Sequence, residues 1–534
     1  MRCLTLATEL KSRGCVISFV CRNHPGNLND LIRKNGFEVL DLSQPTQENR
    51  KILEKDSSRG EYAQWLGVTQ VQDARETLSV LGEKKPDWLI VDHYVLDKSW
   101  ETALRPNVKK VMVIDDLADR EHDCDLLLDQ NLVANRNTRY QDLLPTQCGR
   151  LLGPEFALLQ SQYSEFCPCV PPREGRVRRV LVYFGGADTD NLTGRTIAAF
   201  LSLGRSDISL DVVINPSSLH AATIRWQISV QKQIALHEEL PSLAPLMVKA
   251  DLAIGAGGAT SWERCCLGLP SLVVTLAENQ IPIAEELHHQ GCIRWLGHKD
   301  KVSEADIAKN LKSVIEADLQ PDWSANCRQK VDGFGTKRVA DILLLNAQTK
   351  LQARPVRLED EALILKWAND PFARQNAFSS EAIALSTHRT WFRSKLRDFE
   401  NNRFFIVETE DEFPIGQVRF ERVNDEWEID YSLEQCVRGR KLGRKLLQTA
   451  MVAFRESTNG VILLAQVKKS NTASCHIFEE LGFESGFESG NGGGEEVVCR
   501  YSLRPGKLDQ PFSPRFDINL AEERIPGWMG PQPQ

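Results

Sequence analysis

The chain has 534 residues and a formal net charge of -8; at about 100 to 200 residues per domain it is too long for one hydrophobic core and suits roughly three. The acidic balance argues against a nucleic-acid partner, which a basic stripe would mark. Glu9, Lys11 and Arg13 interrupt the opening run MRCLTLATELKSRG, and no later run is long and apolar enough for a signal core or a membrane span, so a cytoplasmic protein with no membrane partner is expected.

The first predicted element is a short helix over Met1–Lys11, followed by strands at Cys15–Cys21 and Phe37–Leu42, a helix over Tyr62–Leu81, and strands at Asp87–His93 and Val111–Asp115. Strands alternating with helices predict an α/β half, residues 1–165, with a mainly parallel sheet whose functional residues gather at the strands' carboxyl ends. The Pro-rich polar segment Cys167–Arg178 reads as a hinge or linker. Fourteen cysteines at irregular spacing fit reduced, packed thiols, and Cys167-Pro-Cys169 has no second pair at zinc spacing, so no metal is expected.

A second half, residues 176–345, opens on strand Arg179–Phe184, which ends in Gly185-Gly186-Ala187-Asp188, a candidate anion loop before a helix from Leu192. Leu210–Ile214 is another strand, and His237–Leu246 carries no special signal. In Asp251–Gln280 the apolar run Leu252–Ile254 enters Gly255, Gly257 and Gly258, where bare amides can approach an anion at a helix N-terminus. Thr260 and Ser261 are expected to cap that helix, Gly268-Leu269-Pro270 to end it, and Ser271–Leu276 to form a buried strand. The glycines alone also fit an ordinary strand-to-helix turn. Two Rossmann-like halves with glycine loops in the second point to a nucleotide held in a cleft.

The runs IVDHYVLDKSWE, DDLADREHDCDLLLDQN, LLGPEFALL, VYFGGAD and IGAGGATSWERCCLGLP with ENQ occur in one order. Together, over about residues 1–345, they resemble the UDP-sugar hydrolases of pseudaminic acid biosynthesis. The resemblance implies a GT-B architecture and the release of UDP from UDP-2,4-diacetamido-2,4,6-trideoxy-β-L-altropyranose. It also implies that Gly257, Gly258, Thr260 and the Gly185 loop hold the UDP diphosphate, that Glu263 meets the ribose hydroxyls, and that Asn279 and Tyr94 face the sugar as catalytic residues. Such proteins open on a strand and a glycine-histidine loop that supplies a base, and Met1–Ala7 aligns with the end of that motif. The first strand is therefore expected to be missing and Met1 to be an internal methionine of a longer reading frame. Neither His93 nor His122 is assigned the base; without it, hydrolysis would be slower by about 100- to 10,000-fold.

Beyond a polar linker, residues 353–503 predict a third α/β domain. Its elements are strand RPVRL from Arg354, helix Asp360–Ala368, strands Phe404–Glu408, Pro414–Glu421 and Glu426–Leu433, a helix after Gly443, strand Val461–Val467 and a helix from about Asn471 to Gly482. ESGFESGNGGGEE, from Glu484, reads as a flexible loop before strand VVCRYSL, and 504–534 as a disordered tail. Arg438 to Gly443, with NTASCHIFEELGF downstream, resembles the GNAT acetyltransferases. That resemblance implies acetyl-CoA as cosubstrate, its pyrophosphate cradled by Arg438, Gly439, Arg440, Leu442 and Gly443, with Leu433 and Asn471 as further contacts. Lys441 stands where the loop usually has glycine, and Phe478 where many members carry a tyrosine that protonates the leaving thiolate. Glu426 or Glu428 is a candidate to relay a proton through water.

The two resemblances imply a bifunctional nucleotide-sugar enzyme that N-acetylates a UDP-4-amino-4,6-dideoxy-N-acetyl-altrosamine and hydrolyses the product. A GT-B glycosyltransferase fused to an acetyltransferase, and a non-catalytic nucleotide-sugar platform beside an active acetyltransferase, stand as alternatives. The partners expected are a UDP-linked amino sugar and acetyl-CoA.

Overall fold

Short aliphatic runs separated by segments long enough for helical crossovers make parallel sheets, and this governs the first 345 residues. The computed structural model describes residues 1–49, 63–238, 240–410, 412–458, 460–488 and 497–504. The chain divides into two compact units, Met1–Leu345 with Gln435–Gly439, and Asn346–Glu434 with the described residues from Arg440 onward.

In the first half of unit one, β1 (Ser18–Arg22) pairs in parallel with β2 (Glu38–Leu42). A separate parallel sheet runs in the order β3 (Leu89–Val91), β4 (Val111–Ile114), β5 (Leu126–Asp129) and β6 (Gly149–Leu152). Among the described residues no strand pairs the β1–β2 sheet with the β3–β6 sheet. Every residue of β4 and β5 is buried, whereas Leu89 and Ile90 of β3 are half-exposed. β5 and β6 escaped the sequence reading because each shows only four residues among charged neighbours. The expected helix over Tyr62–Leu81 is two helices, Ala63–Leu66 and Gln70–Leu81, with Tyr62 outside the described residues. Gly67 at φ +74° breaks the first, and the Thr69 side chain caps the second by accepting from Gln72 N.

The second half holds six parallel strands: β7 (Arg179–Tyr183), β8 (Ser209–Ile214), β9 (Ile234–Glu238), β10 (Leu252–Ala256), β11 (Ser271–Thr275) and β12 (Arg294–His298). Their order, β12-β11-β10-β7-β8-β9, reverses direction between β7 and β10, the place where a doubly wound sheet opens a crevice at its carboxyl edge. One face packs Val180, Val182, Ile254 and Val274 under the helices, and the other packs Leu181, Ala253 and Val273. The stretch without a sequence signal, 237–246, contains the end of β9 and the start of helix Ala244–Lys249. The expected hinge at 167–178 is instead an anchored strap: buried Arg173 donates to the carbonyls of Met247, Ala250 and Leu267 at the C-terminal ends of two helices. A guanidinium satisfies several orphan carbonyls there and meets the negative ends of both helix dipoles.

Unit two is built on a sheet ordered β13-β14-β15-β16-β17-β19-β18. Its strands are β13 (Leu351–Pro355), β14 (Asn402–Thr409), β15 (Pro414–Val423), β16 (Glu426–Leu433), β17 (Ile462–Lys468), β18 (Glu484–Glu488) and β19 (Val498–Leu503). All neighbours are antiparallel except β16 and β17. The alternation in β16 buries Trp427 and Ile429, against which helix Gly443–Arg455 lays a stripe of Leu446, Leu447, Ala450, Met451 and Phe454. Phe454 stacks on Phe420 at 4.3 Å and meets Trp427 edge-on at 5.1 Å. The start of the expected flexible loop is β18, because pairing with β19 outweighs the low strand propensity of its serine and glycine. The rest of that loop, 489–496, and the expected disordered tail beyond Arg504 lie outside the described residues.

Candidate functional site

β7 and β10 are hydrogen-bonded neighbours, so the glycine loops that follow them meet at one end of the sheet. They line an open cleft of about 360 Å³ with Gly185, Gly186, Asp188, Gly258, Thr260 and, from beyond β12, Lys299. Glycine is required at 255: a Cβ there would lie 2.4 Å from the Tyr183 carbonyl across the β7–β10 ladder. Gly257 stands beside Thr275, where a Cβ would be 3.1 Å from Cγ2. Lys299 is tied by its N–H to the Thr275 carbonyl and by Nζ to Asp190 at 2.8 Å, which holds a cation at the cleft. Asp188 does not face a ligand with both oxygens free; its carboxylate accepts from Leu192 N and Thr193 N at 2.9 and 3.0 Å and starts helix Leu192–Ser202.

The expected hydroxyl caps at Thr260 and Ser261 are not made; the N-cap is Ala259, with no side-chain cap. Both hydroxyls instead accept from buried Arg264, at 3.2 and 3.1 Å, and Arg264 also donates to the Ala256 carbonyl at 2.8 Å. The guanidinium thus clamps the end of β10 to the first helical turn, and burial pulls its pKa down. Glu263, beside it, has a buried Oε2 that makes no well-formed hydrogen bond, with the buried Tyr163 hydroxyl as its neighbour. Burial pushes the Glu263 carboxyl up to about 7. An unsatisfied carboxylate oxygen is a ready acceptor for an incoming hydroxyl. Asn279 lies on the turn Glu278–Gln280, half-exposed and outside the cleft lining; its neighbour Gln280 lines the cleft and fixes the loop by accepting from Leu276 N at 2.9 Å.

Tyr94 follows β3 and is not part of that lining. Its hydroxyl donates to Asp116 Oδ2 at 3.2 Å, and its ring lies 5.8 Å from exposed Trp65. Arg2 bridges Asp92, at 2.6 Å, and Asp116, at 3.3 Å. Burial raises the Asp116 carboxyl above the ordinary range, with the nearby Asp115 adding to the effect and Arg2 opposing it. His122 is buried with Nδ1 2.7 Å from Glu101 Oε1. His93 accepts through Nδ1 from Val95 N at 3.1 Å.

In unit two, β16 and β17 pair only from Glu426–Ile462 to Glu428–Leu464 and then part, leaving a wedge. Tyr431, in the separated part of β16, has its hydroxyl 2.9 Å from Ser474 Oγ on helix Thr472–Glu480. Asn471 caps that helix by accepting from Ser474 N. Leu433 and Gly443 adjoin the same helix region: a Cβ at Gly443 would lie 2.7 Å from Ile477 Cδ1 and 3.4 Å from Leu433 Cδ1, so a larger residue there would have to displace the end of the Ile477 side chain. Within the loop, Arg438 N donates to Gln435 O, Gly439 has φ +72°, Lys441 takes φ +60°, and Arg440 and Leu442 are buried. Of the two carboxylates on β16, Glu426 meets Arg500 at 3.5 Å, whereas Glu428 is raised by burial and then by Glu421 and Asp430.

Residues 350–484 match the family described as acetyltransferase (GNAT) domain. This stretch is thus a GNAT acetyltransferase domain. The chain is 27% identical over 219 residues to the UDP-2,4-diacetamido-2,4,6-trideoxy-β-L-altropyranose hydrolase of Campylobacter jejuni, covering 40% of this chain and 76% of that protein. It is 29% identical over 195 residues to the spore coat polysaccharide biosynthesis protein SpsG of Bacillus subtilis, covering 36% of this chain and 55% of SpsG. An uncharacterised protein of Methanocaldococcus jannaschii is 21% identical over 473 residues, 84% of this chain and 90% of its own length. Among solved structures, the spermidine N-acetyltransferase of Vibrio cholerae in complex with CoA and spermine is 21% identical, with a TM-score of 0.28 over 30% of this chain and 97% of that one. These matches establish a GNAT domain and a distant relationship to sugar-biosynthesis proteins.

Three functional candidates escaped the sequence reading. Arg264 stands with Glu263 as a pair of charges in the otherwise apolar run Trp262–Leu269, and a charge pair inside such a run is a usable signal. Lys299 and Asp116 had none, since each is one charge among several in a loop. Among the described residues no group of three His, Cys, Asp or Glu side chains is placed to share a metal ion, and no helix is long and apolar enough to cross a membrane.

Proposed function

We propose that this chain carries out two steps on one UDP-sugar: acetyl-CoA-dependent N-acetylation of the 4-amino group of a UDP-4-amino-4,6-dideoxy-N-acetyl-altrosamine, then hydrolysis of the resulting UDP-2,4-diacetamido-2,4,6-trideoxy-altropyranose. The observation that carries this reading is the presence, on one chain, of a GNAT domain and a region related to a hydrolase whose named substrate bears two acetamido groups. N-acetylation is the reaction that turns an amine into an acetamido group, so the product of one site is the substrate class of the other.

For the hydrolase step residues 1–165 and 176–345 act as the two halves of a GT-B enzyme, with UDP in the cleft after β7 and β10. Amides of Gly185 and Gly258, the Thr260 hydroxyl and the Lys299 ammonium, which line the cleft, take up charge with the adjoining Gly257 amide as the diphosphate leaves the anomeric carbon. The unsatisfied Glu263 carboxylate accepts from the ribose diol. Asn279 and Tyr94 face the sugar and the attacking water, with Asp116 holding the Tyr94 hydroxyl in place. For the acetyl step, domain 353–503 holds acetyl-CoA, its pyrophosphate on Arg438–Gly443 at the start of helix Gly443–Arg455, with Leu433 and Asn471 beside the bound cosubstrate. Glu428, whose carboxyl is raised by burial and then by its acidic neighbours Glu421 and Asp430, takes the proton from the attacking ammonium through water.

The test is to incubate the full chain with acetyl-CoA and the UDP-4-amino sugar, following free thiol and separating UDP from sugar nucleotide by ion exchange. Thiol release that depends on the amine, followed by UDP and free diacetamido sugar in equal amounts, is expected. UDP release only when a hydroxyl acceptor is added would replace the hydrolase by a glycosyltransferase. UDP-sugar binding without turnover would leave only a platform.

A further inference from the structure

We propose that Cys167 and Cys266 form a peroxide-reactive thiol pair, in which the half-exposed Cys167 attacks a hydroperoxide and the buried Cys266 then closes a disulfide with it. This chemistry is independent of the activities proposed above. Helix Ser161–Phe166 leaves its last carbonyls to be satisfied from outside, and two groups meet at one of them. The Tyr163 carbonyl accepts from the Cys167 backbone N–H, which ends that helix, and from the Cys266 thiol at 3.6 Å. Cys266 is the last residue of helix Thr260–Cys266, so the ends of two helices are drawn to a single oxygen. The two thiols are direct neighbours there, each acting on the ionisation of the other. Cys167 packs against the apolar core to which Cys266 belongs. Gly333 closes over Cys266, where a Cβ would lie 3.0 Å from the sulfur and 2.8 Å from the Ser164 backbone. One thiol is reachable from solvent, and the other is sealed behind it.

The thiolate is the form that attacks a peroxide. The Cys266 thiol pulls the Cys167 thiol below the ordinary cysteine range against the opposing effect of burial; the Arg328 guanidinium adds to the fall and Asp332 opposes it. Arg328 is held at this place by donating to the Val170 carbonyl of the same strap. In the first half of unit one, Cys124 and Cys148 bring their sulfurs to 3.5 Å, but both are buried and neither meets an oxidant first. Cys169 is exposed, and its thiol turns to the Glu165 carbonyl at 3.7 Å.

In the first step the Cys167 sulfur bonds to the terminal oxygen of the hydroperoxide as the O–O bond breaks. The sulfur is oxidised by two electrons to a sulfenic acid, and the departing alkoxide or hydroxide takes up the proton that Cys167 gave up. The Cys266 sulfur then attacks that of Cys167: the S–S bond forms, the S–O bond breaks, and hydroxide leaves with the Cys266 proton as water. Two thiols and one hydroperoxide thus give a disulfide, one water and the alcohol or second water left from the peroxide. A dithiol reverses the bond by thiol–disulfide exchange. The bridge ties segment 167–178 to the helix whose Thr260 lines the cleft.

The full chain, reduced and then freed of reductant, is exposed to a few equivalents of hydrogen peroxide, alkylated, digested with trypsin and sequenced by fragment ions. The expected product is a peptide pair joined at Cys167 and Cys266, lighter by two hydrogens than the separate thiol peptides and parted again by dithiothreitol. Cys169→Ser should keep this bridge in full, and Cys167→Ser should lose it. In Cys266→Ala, with no partner to close the bond, dimedone should trap Cys167 as the sulfenic acid. A bridge between Cys124 and Cys148 with Cys167 left reduced, a bridge that vanishes in C169S, or a lasting Cys167 sulfenic acid in the wild type overturns the assignment. Should C266A fail to fold, the wild-type map together with C169S decides.

Discussion

Replacing Glu263 by glutamine isolates a buried charge on the helix that follows the cleft's second glycine loop. The carboxyl rises from its ordinary 4.5 to about 7, chiefly because burial disfavours the anion. That is worth on the order of 3 kcal/mol at about 1.4 kcal/mol per unit. A raised carboxyl binds its proton more tightly in the folded state, so its penalty is absent below pH 4.5 and grows as pH rises to about 7, where it is complete. Wild type should therefore lose stability across this window relative to E263Q, which has no charge to bury. Urea unfolding of both proteins at pH 4.5, 6 and 7.5, with the difference taken so that other titrating groups cancel, measures it. With UDP added near pH 6.5, calorimetry in buffers of different ionisation enthalpy should show a fraction of a proton released by wild type and none by E263Q. Recovery of stability in E263Q that is the same at all three pH values would refute the reasoning, because the penalty would then not be electrostatic.

Arg264→Met should destabilise unit one by about 3 kcal/mol, since it removes charge-assisted bonds to Ala256 O, Thr260 and Ser261 and leaves a buried carbonyl unpaired; chemical denaturation followed by tryptophan fluorescence checks it. Lys299→Ala should weaken UDP binding by about tenfold, less at high salt, because its ammonium is partly exposed and screened; titration calorimetry at two ionic strengths decides. Lys441→Gly should stabilise unit two by about 1 kcal/mol, since a non-glycine residue at φ +60° is strained; unchanged melting of that unit would mean the loop relaxes around the lysine.

The period-two apolar pattern of Glu426–Leu433 and the aliphatic runs ended by glycine at Arg179–Gly185 and Leu252–Gly258 are local signals, and local sterics and burial suffice to read them. The same holds for Gly268-Leu269-Pro270, which ends its helix as expected. The motifs in order also carried both family resemblances. Other features have no local trace because long-range partners make them. β18 exists because β19 pairs with it, the strap at Arg173 because three distant helix-end carbonyls need a donor, and the clamp at Arg264 because it outcompetes helix capping for two hydroxyls. Nor does the sequence say that β10 lies beside β7, which brings two glycine loops 70 residues apart to one cleft. Sequence determined which residue types stand at the strand ends; tertiary structure decided which of them meet, because hydrogen-bond ladders and buried charges are settled by neighbours in space.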